Sequence, residues 1–412
     1  MLYKKIKVYF KNQLLTRKLL KQKKITDFKE VLKQHNQVSN VLIIDDKLPE
    51  FDKDSGSRRL HLIIEILLKN KVNVFLLADF KEYKFKEEYV GYYKKLGVTV
   101  YEPSLNLNHK LITKNDFIAA IANEIDLVWL HRPLIFKKYF DVIKKYNSKV
   151  KIVFDMVDFH YIRMKREADL RNDKKILAEA NKFLDIEIEN CKKADQIIVI
   201  SETDKTNLLP FYKEASKMIV IGNIHDVIKN NPNSLRFNER KDLLFVGSFE
   251  HLPNIDALFY LKNEIMPLVW RTNPEIKVVV IGSKPTPEVL NLNDANFNVL
   301  GYVSDLSAYF NTARLFVAPL RYGAGIKGKI GQSMEFKLPL ITTEVGAEGF
   351  DFGSLKTSMV ASTAEDFAQK INVLYNDENL WNQISNHSDK VLAPFSSKLL
   401  EQNIMSLLPS QA

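Results

Sequence analysis

Residues 315–343 read LFVAPLRYGAGIKGKIGQSMEFKLPLITT, and the period of the pattern changes twice along them. LFVAPL is an apolar run of strand length, RYGAGIKG is a turn, and Ile330, Met334 and Leu338 recur at helical spacing through KIGQSMEFK. LPLITT then supplies a second strand. A strand, a crossover helix and another strand form the unit from which parallel sheets are built. The turn has a chemistry of its own. Six of the fourteen glycines (323, 325, 328, 331, 346 and 349) lie between 321 and 349, and Lys327 and Lys329 stand at the start of the helix. A cation there opposes the helix dipole by about 0.3–1 kcal/mol. An anion docked on the free N–H groups would reverse the sign. A tight turn with solvated lysines is the plainer alternative; a diphosphate site is the reading adopted.

The same alternation extends in both directions. Upstream stand VLIIDD (41–46), a helix over 57–69, VNVFLLADF (72–80), GVTVYE (97–102), DLVWL (126–130), KIVFDMVD (151–158), QIIVIS (196–201) and MIVIGN (218–223). After the polar stretch NNPNSLRFNERKD (230–242), a second series runs through LLFVGSF (243–249), KVVVIGS (277–283), FNVLGYV (297–303) and the opening stretch. Continuous β-branched runs fit strands covered on both faces. The prediction is an α/β chain with two tandem Rossmann-like domains, at 40–228 and 243–385, joined by a linker at 229–242. A basic extension (1–39) precedes them, and a helical segment (386–412) is expected to return to the first domain. Ligands of such sheets bind beyond the carboxyl ends of the strands, which puts the site in the inter-domain cleft.

With 412 residues, 46% hydrophobic and 27% charged, the chain has an ordinary globular composition and enough length for two cores. Cys191 is the only cysteine, so no internal disulfide forms and a reducing cytoplasm is expected. No apolar run approaches the roughly 18–20 residues of a membrane span, and MLYKKIKVYFKNQLL does not read as a secretory signal. Residues 1–40 carry eleven Lys/Arg against two Asp/Glu, nearly all of the net charge of +10. Leu2, Ile6, Tyr9 or Phe10, Leu14 and Leu15 fall at helical intervals among those lysines, predicting a basic amphipathic helix. It either packs one face on the body or attaches residues 1–20 to an anionic membrane surface, peripheral at the inner face of the cell membrane. No nucleic-acid motif accompanies the charge, and no nucleic-acid partner is expected.

The Walker A pattern is absent, and neither domain opens with GxGxxG, which weighs against a dinucleotide dehydrogenase. FVGSFEHLPNIDALFYL (245–261), EIMPLV, VVVIGSKP, VLGYVSDLSAYFNTARLFVAPLRYGAGIKGKI and TTEVGAEGF together resemble the family-4 (group 1) retaining glycosyltransferases. The likeness runs nearly unbroken over 243–350. It continues more loosely through DKDSGSRR (52–59), DLVWLHRP (126–133), FDMVDFHYIRMKRE (154–167) and IGNIHD (221–226).

This resemblance implies the two-Rossmann GT-B fold, a nucleotide-sugar donor on the C-terminal domain and a glycan or lipid-linked acceptor on the N-terminal one. The function implied is assembly of a surface polysaccharide or similar glycan. No metal or other cofactor is expected, and the DKD at 52–54 is not read as a metal motif. Catalytic roles fall to Lys327, Asp158 and His160. Donor contacts fall to Ser55, Gly56, Ser57 and Arg58, to Gly247, Ser248 and His251, and to Gly323, Ala324, Gly325, Ile326, Lys327 and Gln332. Ser55–Ser57 read equally as a helix cap. Arg163 and Arg166 either pair with Glu167 or meet an acceptor phosphate. Two departures stand out. Relatives carry Arg and Lys where this chain has Ser248 and Pro253, and glutamate, for the ribose hydroxyls, where it has Gln332. Glutamine keeps one acceptor oxygen and loses the charge, so Gln332→Glu is expected to tighten nucleotide binding. Lys337 also replaces a common glycine. These changes leave a non-catalytic subunit of the same fold as the alternative; a nucleotide-sugar 2-epimerase fits the GAGIKGK turn less well.

Overall fold

Strands β1 (Ser39–Asp45), β2 (Val72–Ala78), β3 (Thr99–Val100), β4 (Leu127–His131), β5 (Lys151–Asp155), β6 (Gln196–Val199) and β7 (Met218–Val220) form one parallel sheet in the order 3-2-1-4-5-6-7. A second parallel sheet holds β8 (Lys241–Val246), β9 (Val278–Ile281), β10 (Phe297–Gly301), β11 (Ala313–Ala318), β12 (Leu340–Thr343) and β13 (Val360–Ala361), in the order 10-9-8-11-12-13. The computed structural model describes residues 2–27, 39–229, 231–323 and 325–409. The chain reverses its direction of travel across each sheet at the β1/β4 and β8/β11 junctions. Ligands of open α/β sheets bind at such switch points.

The period-2 geometry of a strand explains the continuous apolar runs. Leu42 and Ile44 of β1 join one core cluster, whereas Val41 and Ile43 join another on the opposite face. Each such side chain, fully withdrawn from water, contributes about 1.5–3 kcal/mol. The helices include α1 (Leu2–Lys21), α2 (Ser55–Lys69), α3 (His160–Arg171), α4 (Lys174–Lys193), α5 (Leu252–Tyr260), α6 (Gly328–Glu335), α7 (Glu378–Leu392) and α8 (Ser397–Met405). In α2, Leu60, Ile63, Ile64 and Leu67 make the buried stripe, and Asp54 caps the start by accepting from Ser57 N at 2.8 Å.

The opening stretch folds as its pattern predicts: β11, turn, α6, β12, with Ile330, Met334 and Leu338 buried. Helix α6 ends in a Schellman motif. Leu338 N donates to Ser333 O and Lys337 N to Met334 O, at 2.9 and 3.0 Å, and Lys337 sits at φ 53°. That left-handed conformation suits glycine, the residue Lys337 replaces. Lys337→Gly should therefore raise stability by about 0.5–1 kcal/mol, because relief of the Cβ clash exceeds the extra chain entropy. Urea unfolding checks it, and an unchanged or lower midpoint contradicts it.

Two boundaries differ from the sequence reading. β8 starts at Lys241, inside the expected linker, and Arg240 is already locked onto the second domain. Its guanidinium donates to the carbonyls of Leu235, Phe310 and Ala313 at 2.8, 2.9 and 3.1 Å. The expected break at 385/386 falls within α7, whose Trp381, Ile384, Val391 and Leu392 all belong to the second domain's core. The chain returns to the first domain only at Ser396, after which Leu400, Ile404 and Leu407 enter the core on β1. An amphipathic helix does not end where a domain count suggests; it ends where its stripe runs out.

Candidate functional site

The loops after β1, β4, β5, β8 and β11 converge on a cavity of about 450 Å3 between the sheets. It is lined by Ser55, Gly56, Asp158, His160, Gly247, Ser248, His251, Gly323, Ile326 and Lys327 among the residues singled out from sequence. Gly325 (φ 70°) backs the cavity: a Cβ there would lie 2.6 Å from Ile200 Cδ1 and 3.7 Å from the Asp158 Cβ. Ala324 lies outside the described residues.

Three candidates face elsewhere. Ser57 turns back to Asp54, its hydroxyl donating to Oδ2 at 2.9 Å, so it completes the cap of α2. Arg58 makes a two-pronged bond to Glu335, both contacts at 3.0 Å, and Glu335 also meets His225 Nδ1 at 2.5 Å. Arg58 thus joins the domains instead of facing the cavity. Gln332 lies beside Arg58 and Leu62 in a small space between α2 and α6, where its Oε1 accepts from Lys329 Nζ at 2.9 Å. The oxygen assigned to a ribose accepts from Lys329 outside the cavity.

The starts of α2 and α6 meet across the cleft. A Cβ on Gly328 would stand 2.6 Å from the Ser55 Cβ, so only glycine allows this approach. Ser57 N is capped by Asp54, and Ile330 N and Gly331 N donate to Lys327 O at 2.9 and 3.3 Å. The N–H groups of Ser55, Gly56, Gly328 and Lys329 have no partner among the described residues, as expected for the first turn of a helix. They line the cavity with Lys327, whose Nζ donates to Gly325 O and lies 3.7 Å from Glu348. Burial brings the Lys327 ammonium down to about 8, although Glu348 and Asp204 favour its charged form. The geometry is that of an anion cradle.

Asp158 and His160 stand on the opposite wall. His160 Nδ1 is 2.9 Å from Asp158 Oδ1 and 3.3 Å from Glu187 Oε1, and its ring stacks on Phe183 at 5.4 Å. Burial alone would lower the imidazole pKa, but Asp158 and then Glu187 outweigh it and lift it to about 9. Arg163 donates to Asp158 Oδ2 at 2.8 Å. Burial opposes charge on Asp158, yet His160 and Arg163 hold this carboxyl well below the usual range. The residue before it, Val157, has φ 66°, a costly conformation for a β-branched side chain. Arg166 reaches across the cleft to Gly323 O (2.7 Å) and to both oxygens of Glu348 (2.9 and 3.0 Å). Its partner is therefore neither of the two the sequence suggested.

Residues 240–377 match the family described as glycosyl transferases group 1. A relative described as an uncharacterized 44.6 kDa protein in the cps region of Klebsiella pneumoniae is 27% identical over 139 residues, 32% of this chain and 36% of that protein. The match thus spans about a third of the relative's length. Similar solved structures include a mutant TarM of S. aureus in complex with fondaparinux, alpha-GlcNAc-glycerol and UDP, with TM-score 0.69, 12% identity, and coverage of 90% of this chain and 100% of that one. HepE of Anabaena in complex with UDP and glucose gives TM-score 0.65, 12% identity, and coverage of 90% and 99%. The pneumococcal O-GlcNAc transferase GtfA in complex with UDP and GlcNAc gives the same four values. At that identity the likeness is one of fold: two Rossmann-like domains facing across a cleft, the GT-B architecture.

Proposed function

We propose that this chain, a group 1 glycosyltransferase of the GT-B fold, moves a sugar from a nucleotide-sugar donor to a glycan or lipid-linked acceptor, with retention at the anomeric carbon. The observation that carries the reading is the anion cradle: two helix starts with free N–H groups, joined by Lys327, at the switch points of both sheets. As the glycosidic bond breaks, charge collects on the departing diphosphate, and preorganised donors and cations stabilise it most there. The leaving phosphate then takes the proton of the incoming hydroxyl, so the scheme uses neither a protein nucleophile nor a metal ion. Asp158 and His160 line the same cavity and are assigned to the sugar being transferred. The relative from a cps region supports a surface polysaccharide as the product.

Calorimetric titration with UDP, GDP and dTDP tests this, together with NMR of the anomer released on slow donor hydrolysis. Binding of one nucleotide and a retained anomer support it. No binding of any would leave a non-catalytic GT-B subunit.

The proposed acceptor side includes an anionic membrane surface. In α1, Val8 and Leu15 are half-buried and Leu19 is buried, whereas Ile6, Tyr9, Phe10 and Leu14 are 45%, 61%, 63% and 63% exposed. Ile6, Phe10 and Leu14 are spaced i, i+4, i+8 and form an outward apolar strip among Lys7, Lys11, Arg17, Lys18 and Lys21. Among the described residues no helix is long and apolar enough to cross a membrane. Vesicles rich in phosphatidylglycerol should bind the protein, at the inner face of a cell membrane by this reading. Phe10→Asp with Leu14→Asp should weaken binding at least about tenfold without shifting the melting temperature. Equal binding by the double variant would remove α1 from the surface contact.

A further inference from the structure

Side-chain hydrogen bonds tie the two domains together across the cleft, and most land on one part of the second domain. Arg58 reaches Glu335, Arg166 reaches Gly323 and Glu348, Arg171 reaches the Tyr322 hydroxyl at 3.2 Å, and Asn223 reaches Ile326 O at 3.4 Å. These partners all lie between 322 and 348, around α6, where Ile228 N of the linker also donates to Glu335 O at 2.9 Å. One bond lands elsewhere. The Tyr302 hydroxyl donates to Asp52 Oδ2 at 2.5 Å, joining residues 250 positions apart. Tyr302 follows β10, the edge strand of the second sheet, three strands and so about 14 Å from β11. The loop 247–254, which lines the cavity, follows β8 and lies between them. The cavity is thus flanked by cross-domain ties on both sides.

We infer that Asp52 and Tyr302 form a latch on the side of the cleft away from α6, which holds the domains together and must break before a donor enters or a nucleotide leaves. The donor part of this inference rests on the nucleotide-sugar reading of the cavity. The first domain presents Asp52 on a braced loop. Phe51 stacks on His61 of α2 at 4.6 Å and packs on Tyr92 at 4.8 Å, and the Tyr93 hydroxyl donates to Pro49 O at 2.9 Å. Tyr89, with the Lys53 ammonium 5.2 Å from its ring centre, donates to the other oxygen of Asp52. The second domain contributes Tyr302 alone, 45% exposed, so its hydroxyl is placed by this bond more than by packing. A single exposed bond to a carboxylate is strong enough to bias a two-state cleft and weak enough to break at every turnover. Burial opposes charge on Asp52, but the Tyr302 and Tyr89 hydroxyls hold its carboxyl below the usual range. The same bond pushes the Tyr302 hydroxyl up to about 12, so donor and acceptor keep their states through the neutral range.

Stopped-flow binding of mant-labelled UDP, GDP and dTDP to the full chain tests the latch. Entry and exit need the same opening, so Tyr302→Phe should raise the association and dissociation rates together, about five- to tenfold, and change Kd less than about twofold. Tyr89→Phe removes a bond to Asp52 that does not cross the cleft, and should change both rates less than about twofold. Thermal unfolding confirms that each variant folds. A second arm needs no ligand: spin labels on Lys95→Cys and Asn298→Cys, exposed positions on the two domains, report the distance between them. Cys191, the only other cysteine, is buried and stays unlabelled. Tyr302→Phe should add a population at longer distance. Unchanged rates in Tyr302→Phe overturn the inference, and so do unchanged label distances. Faster dissociation alone, with weaker Kd, also overturns it by making Tyr302 a direct contact of the nucleotide. If the wild-type chain binds no nucleotide, the donor reading fails by itself, and the label distances alone decide whether the bond holds the domains together.

Discussion

Lys327→Ala is expected to lower the rate of sugar transfer about 10²–10³-fold while leaving the melting temperature nearly unchanged. The rate effect follows from removing a preorganised cation from the place where leaving-group charge develops. The absence of a stability effect follows from its protein partners. Glu348, 3.7 Å away, is already held by both prongs of Arg166, and the remaining bond of Lys327 is to a carbonyl of its own turn. Asp204, the other buried carboxyl that favours the charged form of Lys327, keeps its hydrogen bond from the Ser201 hydroxyl at 2.7 Å. The pH profile separates this from a structural role. With its ammonium at about 8, Lys327 is charged below that pH and loses its proton above it, so the rate should fall as pH rises through the alkaline limb. Lys327→Arg keeps the charge and should recover part of the rate while flattening that limb. An unchanged rate in a folded Lys327→Ala protein would remove Lys327 from the diphosphate site.

Much of the fold was legible because burial on both faces of a strand leaves a dense local signal. The stripe of Ile330, Met334 and Leu338 and the apolar runs around it need no distant partner to be recognised. Partnerships across the cleft are another matter. Glu187, which fixes His160, lies on α4, and Glu348, which takes Arg166, follows β12; neither position carries a local pattern. The stripe of Ile6, Phe10 and Leu14 was equally visible, but spacing alone does not say which way it faces. The structure turns it outward and gives Leu19 to the body instead. Gln332 shows the limit most sharply. Read alone it is a lost charge at a ribose; in the structure its amide oxygen accepts from Lys329 in a small space beside the cavity.

The largest effect on stability is expected for Asp155→Ala, a loss of about 3–5 kcal/mol read by urea unfolding. Asp155 is fully buried at the end of β5. Its Oδ2 accepts from Arg59 Nη1 and from Trp129 Nε1, both at 2.9 Å, and its Oδ1 from Val157 N at 3.2 Å. Without the carboxylate, Arg59 remains a buried cation with only the carbonyls of Ile221 and Gly222 for company. Breaking one side of such a pair costs more than the pair contributes, because the remaining charge stays desolvated. Burial opposes ionisation of Asp155, but Arg59 and His131 overcome it and depress its pKa. A depressed carboxyl stabilises the fold above its unfolded value, near 3.8, and that contribution is lost as pH falls through the lower folded value. Wild-type stability should therefore drop more steeply below about pH 4 than that of Asp155→Asn, which has no charge to lose. Function should follow, since the Oδ1 bond pins Val157 in its left-handed conformation, one residue before Asp158. Released from that bond, the loop relaxes and Asp158 and His160 leave their place on the cavity wall. Asp155→Asn should then show weakened transfer even at temperatures where it is fully folded. A folded Asp155→Asn with the wild-type rate would mean that the strain at Val157 does not position the site.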